Sequence, residues 1–115
     1  MEERFLQQLK KGVLEMLVLG VICEKRTYGY ELMAALRKRS DDLFTLKEGT
    51  LYPILYRLED EGMIESCWSL GEGKIAPKKM YSATEKGRRE YISRVELWKT
   101  FTKTVDRFNE EVENE

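Results

Sequence analysis

The sequence predicts a mainly helical α+β fold, and three observations carry that expectation. Apolar residues recur every three or four places through separate segments, the spacing of amphipathic helices. One alternating, glycine-punctuated stretch in the second half reads as a β-hairpin. The final helical segment is the longest, and its apolar residues fall on a roughly 3.5-residue repeat. A helix, a short turn, an exposed helix and then a hairpin is the order of a winged helix-turn-helix. The expected architecture is that fold with an additional N-terminal helix and a long C-terminal helix.

The first helix is expected from about Glu3 to Glu24, with Leu6, Leu9, Val13, Met16, Leu17, Gly20 and Val21 forming its stripe. Leu14, Val18 and Leu19 lie off that stripe, so this helix must be covered on more than one side. A partner chain is one source of such cover. The "KRTYGYE" segment breaks the pattern, and Thr27 is placed to cap a second helix ending near Ser40. Its Leu32, Ala35, Leu36 and Arg39 share a face. After the polar turn "SDDLFTLKEG", a third helix is expected from Glu48 to Glu61, with Gly62 as its stop.

Beyond Gly62, Ile64, Ser66, Trp68 and Leu70 alternate with Glu65, Cys67 and Ser69, as a half-exposed strand requires. The loop "GEGKIAP" then leads into "KKMYSAT", giving a hairpin with a basic tip. Ser82 and Glu85 have capping-box spacing, with Thr84 the competing cap for the last helix, expected from Glu85 to Glu111. Along that helix Tyr91, Val95, Trp98, Phe101, Val105, Phe108 and Val112 form an apolar seam. At the helical rise per residue the seam is about 32 Å long. One terminal helix has too little protein of its own to cover such a seam, so a homodimer is expected. The division of labour is then residues 1–83 for the winged domain and 84–115 for the dimerisation helix.

A chain of 115 residues suits a single domain without room for a large catalytic cavity. Spanning a bilayer takes roughly 20 apolar residues. The longest apolar run, Met16 to Cys23, is far shorter, and "MEERFLQQLKK" is no signal peptide. A cytoplasmic protein without membrane contact is the default expectation. Cys23 and Cys67 form no CxxC pair and there is no histidine, so neither metal nor cofactor is expected. The missing histidine also removes the commonest general base, and no nucleophile-elbow or phosphate-loop pattern occurs. An enzyme is not expected. Net charge is −1 but unevenly spread: Lys74, Lys78, Lys79, Lys86, Arg88 and Arg89 crowd one region while "NEEVENE" is acidic.

On a helical wheel, Leu51, Ile54, Leu55 and Leu58 of the third helix face inward. Thr50, Pro53, Arg57 and Asp60 point the opposite way, with Tyr52 and Tyr56 on the flank. Pro53 lacks a backbone donor, which is tolerated best in a first turn. A narrow exposed helix start with Thr, Tyr and Arg suits the major groove of DNA. The plainer alternative is an ordinary amphipathic surface helix whose tyrosines cover apolar neighbours.

The strings "YGYEL" at 28–32, "GTLYPILYRLEDEGMIES" at 49–66, "KKMYSAT" at 78–84 and "EKG" at 85–87 closely resemble the PadR family of bacterial transcriptional regulators. The resemblance runs from about Leu14 to Trp98, and the single C-terminal helix is similar to the smaller PadR subclass. It departs at Met80, where the family usually has a second aromatic, and at Pro77 in the loop. The resemblance implies that Thr50, Tyr52, Pro53, Tyr56 and Arg57 enter a major groove and that Tyr28 and Tyr30 lie near phosphates. For Tyr30, packing on the third helix is the other reading. Lys47, Lys74, Lys78 and Lys79 would serve the DNA backbone, against a default of merely solvated side chains.

The resemblance also implies a candidate ligand site at the dimer centre, where paired Trp98 indoles would hold a planar aromatic effector amid Tyr91, Val95, Phe101, Val105 and Phe108. The alternative makes Trp98 an ordinary interface anchor. The expected function is a homodimeric regulator, by default a repressor, bound to a palindromic double-stranded operator with half-sites about 34 Å apart. A winged-helix module for protein interaction without DNA binding is the competing class.

Overall fold

The computed structural model describes residues 2–70, 73 and 76–114. Its elements run α1 (Glu2–Glu24), β1 (Thr27–Tyr28), α2 (Gly29–Arg39), α3 (Glu48–Asp60), β2 (Ile64–Ser69), β3 (Lys78–Ala83) and α4 (Glu85–Glu113). The helices and hairpin follow the expected winged order. The core roles within α1 depart from the stripe reading except at its C-terminal end, where Gly20 is buried and Leu17 and Val21 pack on the core. Leu14, Val18, Leu19 and Ile22 are buried against α2, α3 and the sheet, whereas Leu9 is exposed and Leu6, Val13, Met16 and Leu17 are half-buried. Two apolar faces exist on α1; the chain covers one fully and the other only toward its C-terminal end, where Leu17 and Val21 pack on the core and Gly20 meets Tyr91.

Strand β1 corrects the expected start of the second helix. Thr27 is not the cap: it is buried and pairs with Tyr81, while Tyr28 occupies the N-cap position. The free edge of β3 offers these two residues ladder partners, giving the sheet the antiparallel order β1-β3-β2. Glu31 reaches back, its Oε1 accepting from the Tyr28 backbone N–H at 3.4 Å. At the far end of α2, Ser40 Oγ donates to the Leu36 carbonyl at 2.6 Å and accepts from the Phe44 N–H at 2.9 Å. Asp41 and Asp42 turn the chain with φ of 50° and 69°. Short polar side chains tolerate that left-handed region.

Helix α3 ends as Gly62 predicts, with that residue at a φ of 76°. This conformation lets the Gly62 N–H reach the Glu59 carbonyl and the Met63 N–H reach the Leu58 carbonyl, both orphan acceptors of the last turn. The chain then enters β2, which pairs with β3 from Ile64↔Ala83 to Ser69↔Lys78. Burial fades along β2 from Ile64 at the root to exposed Trp68, because the hairpin projects beyond the core as a wing.

The cap of α4 is Thr84, not Ser82, which belongs to β3. Thr84 Oγ1 accepts from the Gly87 N–H at 3.0 Å and donates to the Gly62 carbonyl at 2.6 Å, so it closes two elements at once. Two glycines permit the close approaches here. A Cβ at Gly87 would lie 1.9 Å from the Met63 carbonyl oxygen, and one at Gly20 would lie 2.7 Å from the Tyr91 ring. Arg88 adds a hydrogen bond of 2.8 Å to the Cys23 carbonyl at the end of α1. The first turns of α4 are thereby bolted to α1 and α3, and the rest extends away, giving overall dimensions of 67 × 32 × 21 Å. No helix among the described residues is long and apolar enough to cross a membrane.

Candidate nucleic-acid interface

Four leucine and isoleucine side chains orient α3. Leu51, Ile54, Leu55 and Leu58 are buried, which forces Thr50, Pro53, Tyr56, Arg57 and Asp60 to the exposed side. Pro53 stands in the second turn of α3, one turn later than its missing donor favours. Its lost partner is the carbonyl of exposed Gly49, which water can satisfy, so the proline is accommodated without a buried orphan. Lys47 holds the N-cap position and is exposed, putting a cation beside the start of the helix.

The flanking aromatics divide. Tyr56 is 61% exposed, but Tyr52 is half-buried against the core with its hydroxyl against Gly29, where a Cβ would be 3.2 Å away. Tyr30 is 79% exposed in the first turn of α2, largely clear of α3. Tyr28 is half-buried, and Lys78 Nζ sits 5.6 Å from its ring centroid. That is a cation–π geometry. Lys79 is half-buried beside Tyr56, with its Nζ 5.9 Å from that ring. Lys74 lies outside the described residues. The structure therefore brings Thr50, Pro53, Tyr56 and Arg57 onto the outer side of α3 with Lys47 at its start and Lys79 of the wing beside Tyr56, places Lys78 against Tyr28 instead, and draws Tyr52 inward.

Carboxylates near these cations are not legible from spacing. Glu15 of α1 has Oε1 4.0 Å from Arg57 Nε, and Glu59 has Oε1 3.9 Å from Lys79 Nζ. Both pairs join residues far apart in sequence, so only the tertiary packing reveals them. The Tyr81 hydroxyl beneath the wing is pushed up to about 12, first by burial and then by nearby Tyr52, Glu59 and Tyr56. Burial likewise raises the Cys23 thiol, partly offset by the Arg88 guanidinium. Among the described residues no group of three or more His, Cys, Asp or Glu side chains is arranged to hold a metal ion.

The second candidate site lies along α4. Tyr91 is spent on the Gly20 contact within the chain, and Val95 is half-buried. Trp98 and Phe101 neighbour each other with ring centroids 6.4 Å apart, and both are exposed together with Val105 and Phe108. Phe5 and Leu9 of α1 add further uncovered apolar surface.

Comparison with known proteins fits this geometry. The family model described as the transcriptional regulator PadR-like family matches residues 18–93, more than half of the chain. A protein of Lysinibacillus sphaericus is 32% identical over 104 residues, spanning 90% of this chain and 94% of that one. The negative transcriptional regulator PadR of Bacillus subtilis (strain 168) is 30% identical over 78 residues, 68% of this chain but only 42% of that regulator. Among solved structures, a PadR family transcriptional regulator from Eggerthella lenta DSM 2243 superposes with a TM-score of 0.82 at 30% identity, covering 92% of this chain and 89% of that one. The structure of Bacillus subtilis PadR in complex with operator DNA gives a TM-score of 0.65 at 28% identity, covering 72% of this chain and 46% of that one. The chain belongs to the PadR-like family of transcriptional regulators.

Proposed function

We propose that this regulator binds operator DNA as a homodimer and represses the genes it overlaps. The observation that carries the reading is the outward row Thr50, Pro53, Tyr56 and Arg57, which the buried leucines of α3 leave no other place to go. The operator complex of the Bacillus subtilis relative supports DNA as the partner, and that relative's description as a negative regulator supports repression. Each subunit presents one α3 to a major groove, with half-sites about 34 Å apart. Arg57 is the base-reading candidate once it leaves Glu15. A bidentate contact of that kind is worth about 1–3 kcal/mol of discrimination at its position. Tyr28, Tyr30, Lys47, Lys74 and Lys78 supply contacts to the phosphate backbone, with Tyr52 supporting the helix from beneath.

The uncovered seam of α4 and the exposed residues of α1 support the dimer, because apolar surface on this scale is normally paired. Trp98 at the centre of that seam is the candidate contact for a planar aromatic effector, which would act by changing the angle between the two α4 helices. Such coupling is reciprocal, so operator must weaken effector binding by the factor by which effector weakens operator binding.

The test is selection of genomic fragments on the purified protein, followed by gel shift with Arg57→Ala and Tyr56→Ala. Each substitution is expected to lower affinity for selected fragments about tenfold or more while leaving random DNA little changed. A wild-type chain that enriches no fragment would move the assignment to a protein-interaction module.

A further inference from the structure

The wing is tied to α3 by one carboxylate. On the sheet face turned toward α3, Ser66 of β2 and Lys79 of β3 are diagonal neighbours, since Ser66 pairs with Tyr81 and Trp68 with Lys79. Both reach Glu59, one turn beyond Tyr56 on the same side of α3. Ser66 Oγ donates to Glu59 Oε2 at 2.7 Å, and Lys79 Nζ stands 3.9 Å from Oε1. The same ammonium lies 5.9 Å from the Tyr56 ring centroid and 5.8 Å from that of Tyr81. The two charged side chains are only 30% and 35% exposed, unlike an ordinary solvent-washed pair.

We infer that Glu59 is a positioning residue, a clasp that sets the angle between wing and α3 and, through Lys79, the orientation of Tyr56. The clasp is a property of the free chain, and its consequence for DNA rests on the function proposed above. One contact would let the hairpin pivot about α3, whereas two contacts on two strands to one side chain fix the angle. The same geometry changes the role of Lys79. An ammonium engaged by a carboxylate and two ring faces has its charge neutralised within the protein, so it releases no counterion when a phosphate approaches. Lys78, which is exposed and lies over the Tyr28 ring, is assigned to the duplex instead.

The full-length chain tests this in two arms. Without DNA, Glu59→Ala is expected to speed hydrogen exchange severalfold at the β2 and β3 amides while the core amides of α1 and α3 stay protected. Glu59→Gln keeps an acceptor for Ser66 and should show a smaller change. Unaltered exchange in Glu59→Ala would overturn the clasp even for a chain that retains no DNA, so the two readings fail separately. With DNA, the probes are fragments retained by the wild type and a random-sequence duplex, titrated over salt. Lys79→Met should leave the slope of log affinity against log salt unchanged, while Lys78→Met should reduce it by about 0.9 for each phosphate it no longer neutralises. Glu59→Gln frees the Lys79 ammonium, so random DNA should bind more tightly with a slope steeper by about 0.9 for each ammonium that reaches a phosphate, while discrimination falls roughly tenfold. The Glu59→Gln, Lys79→Met double variant should return to the wild-type slope. A slope lowered by Lys79→Met alone would make Lys79 an ordinary phosphate contact and end the inference.

Discussion

Helices α3 and α4 carry apolar stripes of similar regularity and meet opposite fates. Every member of the α3 stripe, Leu51, Ile54, Leu55 and Leu58, is buried within the chain. Along α4, Trp98, Phe101, Val105, Phe108 and Val112 are all at least 41% exposed. Periodicity alone states that a face needs cover and is silent on whose protein supplies it. The difference is topological. Helix α3 is flanked by α1 and the sheet, whereas α4 leaves the head after its first turns and continues past the last neighbour.

This contrast predicts that damage to the two stripes will look different. Replacing Phe101 and Phe108 together by Ser should leave each chain folded and dissociate the proposed dimer. Four rings are lost per assembly, on the order of 6 kcal/mol or more, or roughly four powers of ten in the dimer dissociation constant. Sedimentation over a range of concentrations measures it, and a wild-type chain already monomeric would remove the distinction. Gly87→Ala attacks the junction instead. The added Cβ would lie 1.9 Å from the Met63 carbonyl oxygen, so backbone must move. A loss of about 3 kcal/mol in denaturant unfolding is expected. That loss should not vary with protein concentration beyond the wild-type dependence.

The smallest effect concerns pH. Tyr81 titrates at about 12 in the folded chain against about 10 unfolded. Above about pH 10 the unfolded chain gives up this proton first, so stability falls as pH rises from about 10 to 12, by roughly 2–3 kcal/mol at most. Wild type and Tyr81→Phe unfolded in parallel over that range isolate the contribution, because every other group is common to both. Equal slopes would show that Tyr81 is not the group responsible.

What the sequence makes legible follows from how local each signal is. The four helices, the Gly62 stop and the wheel of α3 are short-range patterns, and they match the structure closely. Strand β1 is illegible because two residues carry no periodicity, and Thr27 is held by Tyr81, more than fifty positions away. The fitness of Pro53 in a second turn depends on the exposure of Gly49, which no local pattern states. The candidate site divides in the same way. Thr50, Pro53 and Arg57 can be placed on an outer face from spacing, but the split of the flanking Tyr52 and Tyr56, with Tyr52 half-buried over Gly29, and the pairing of Lys79 with Glu59 depend on how distant elements pack.

The bolted corner at Gly20, Gly87 and Arg88 has a mechanical consequence. From Gly87 to Phe108 the helix runs about 31 Å, so a tilt of about 5° at its base swings the far ring by about 3 Å. Because the base is pinned to the end of α1 and to the stop after α3, the swing cannot be absorbed there as local slack. Under the function proposed above, a planar effector wedged at Trp98 would thus turn the whole head like the needle of a gauge, and a duplex gripping the head would move the seam in return.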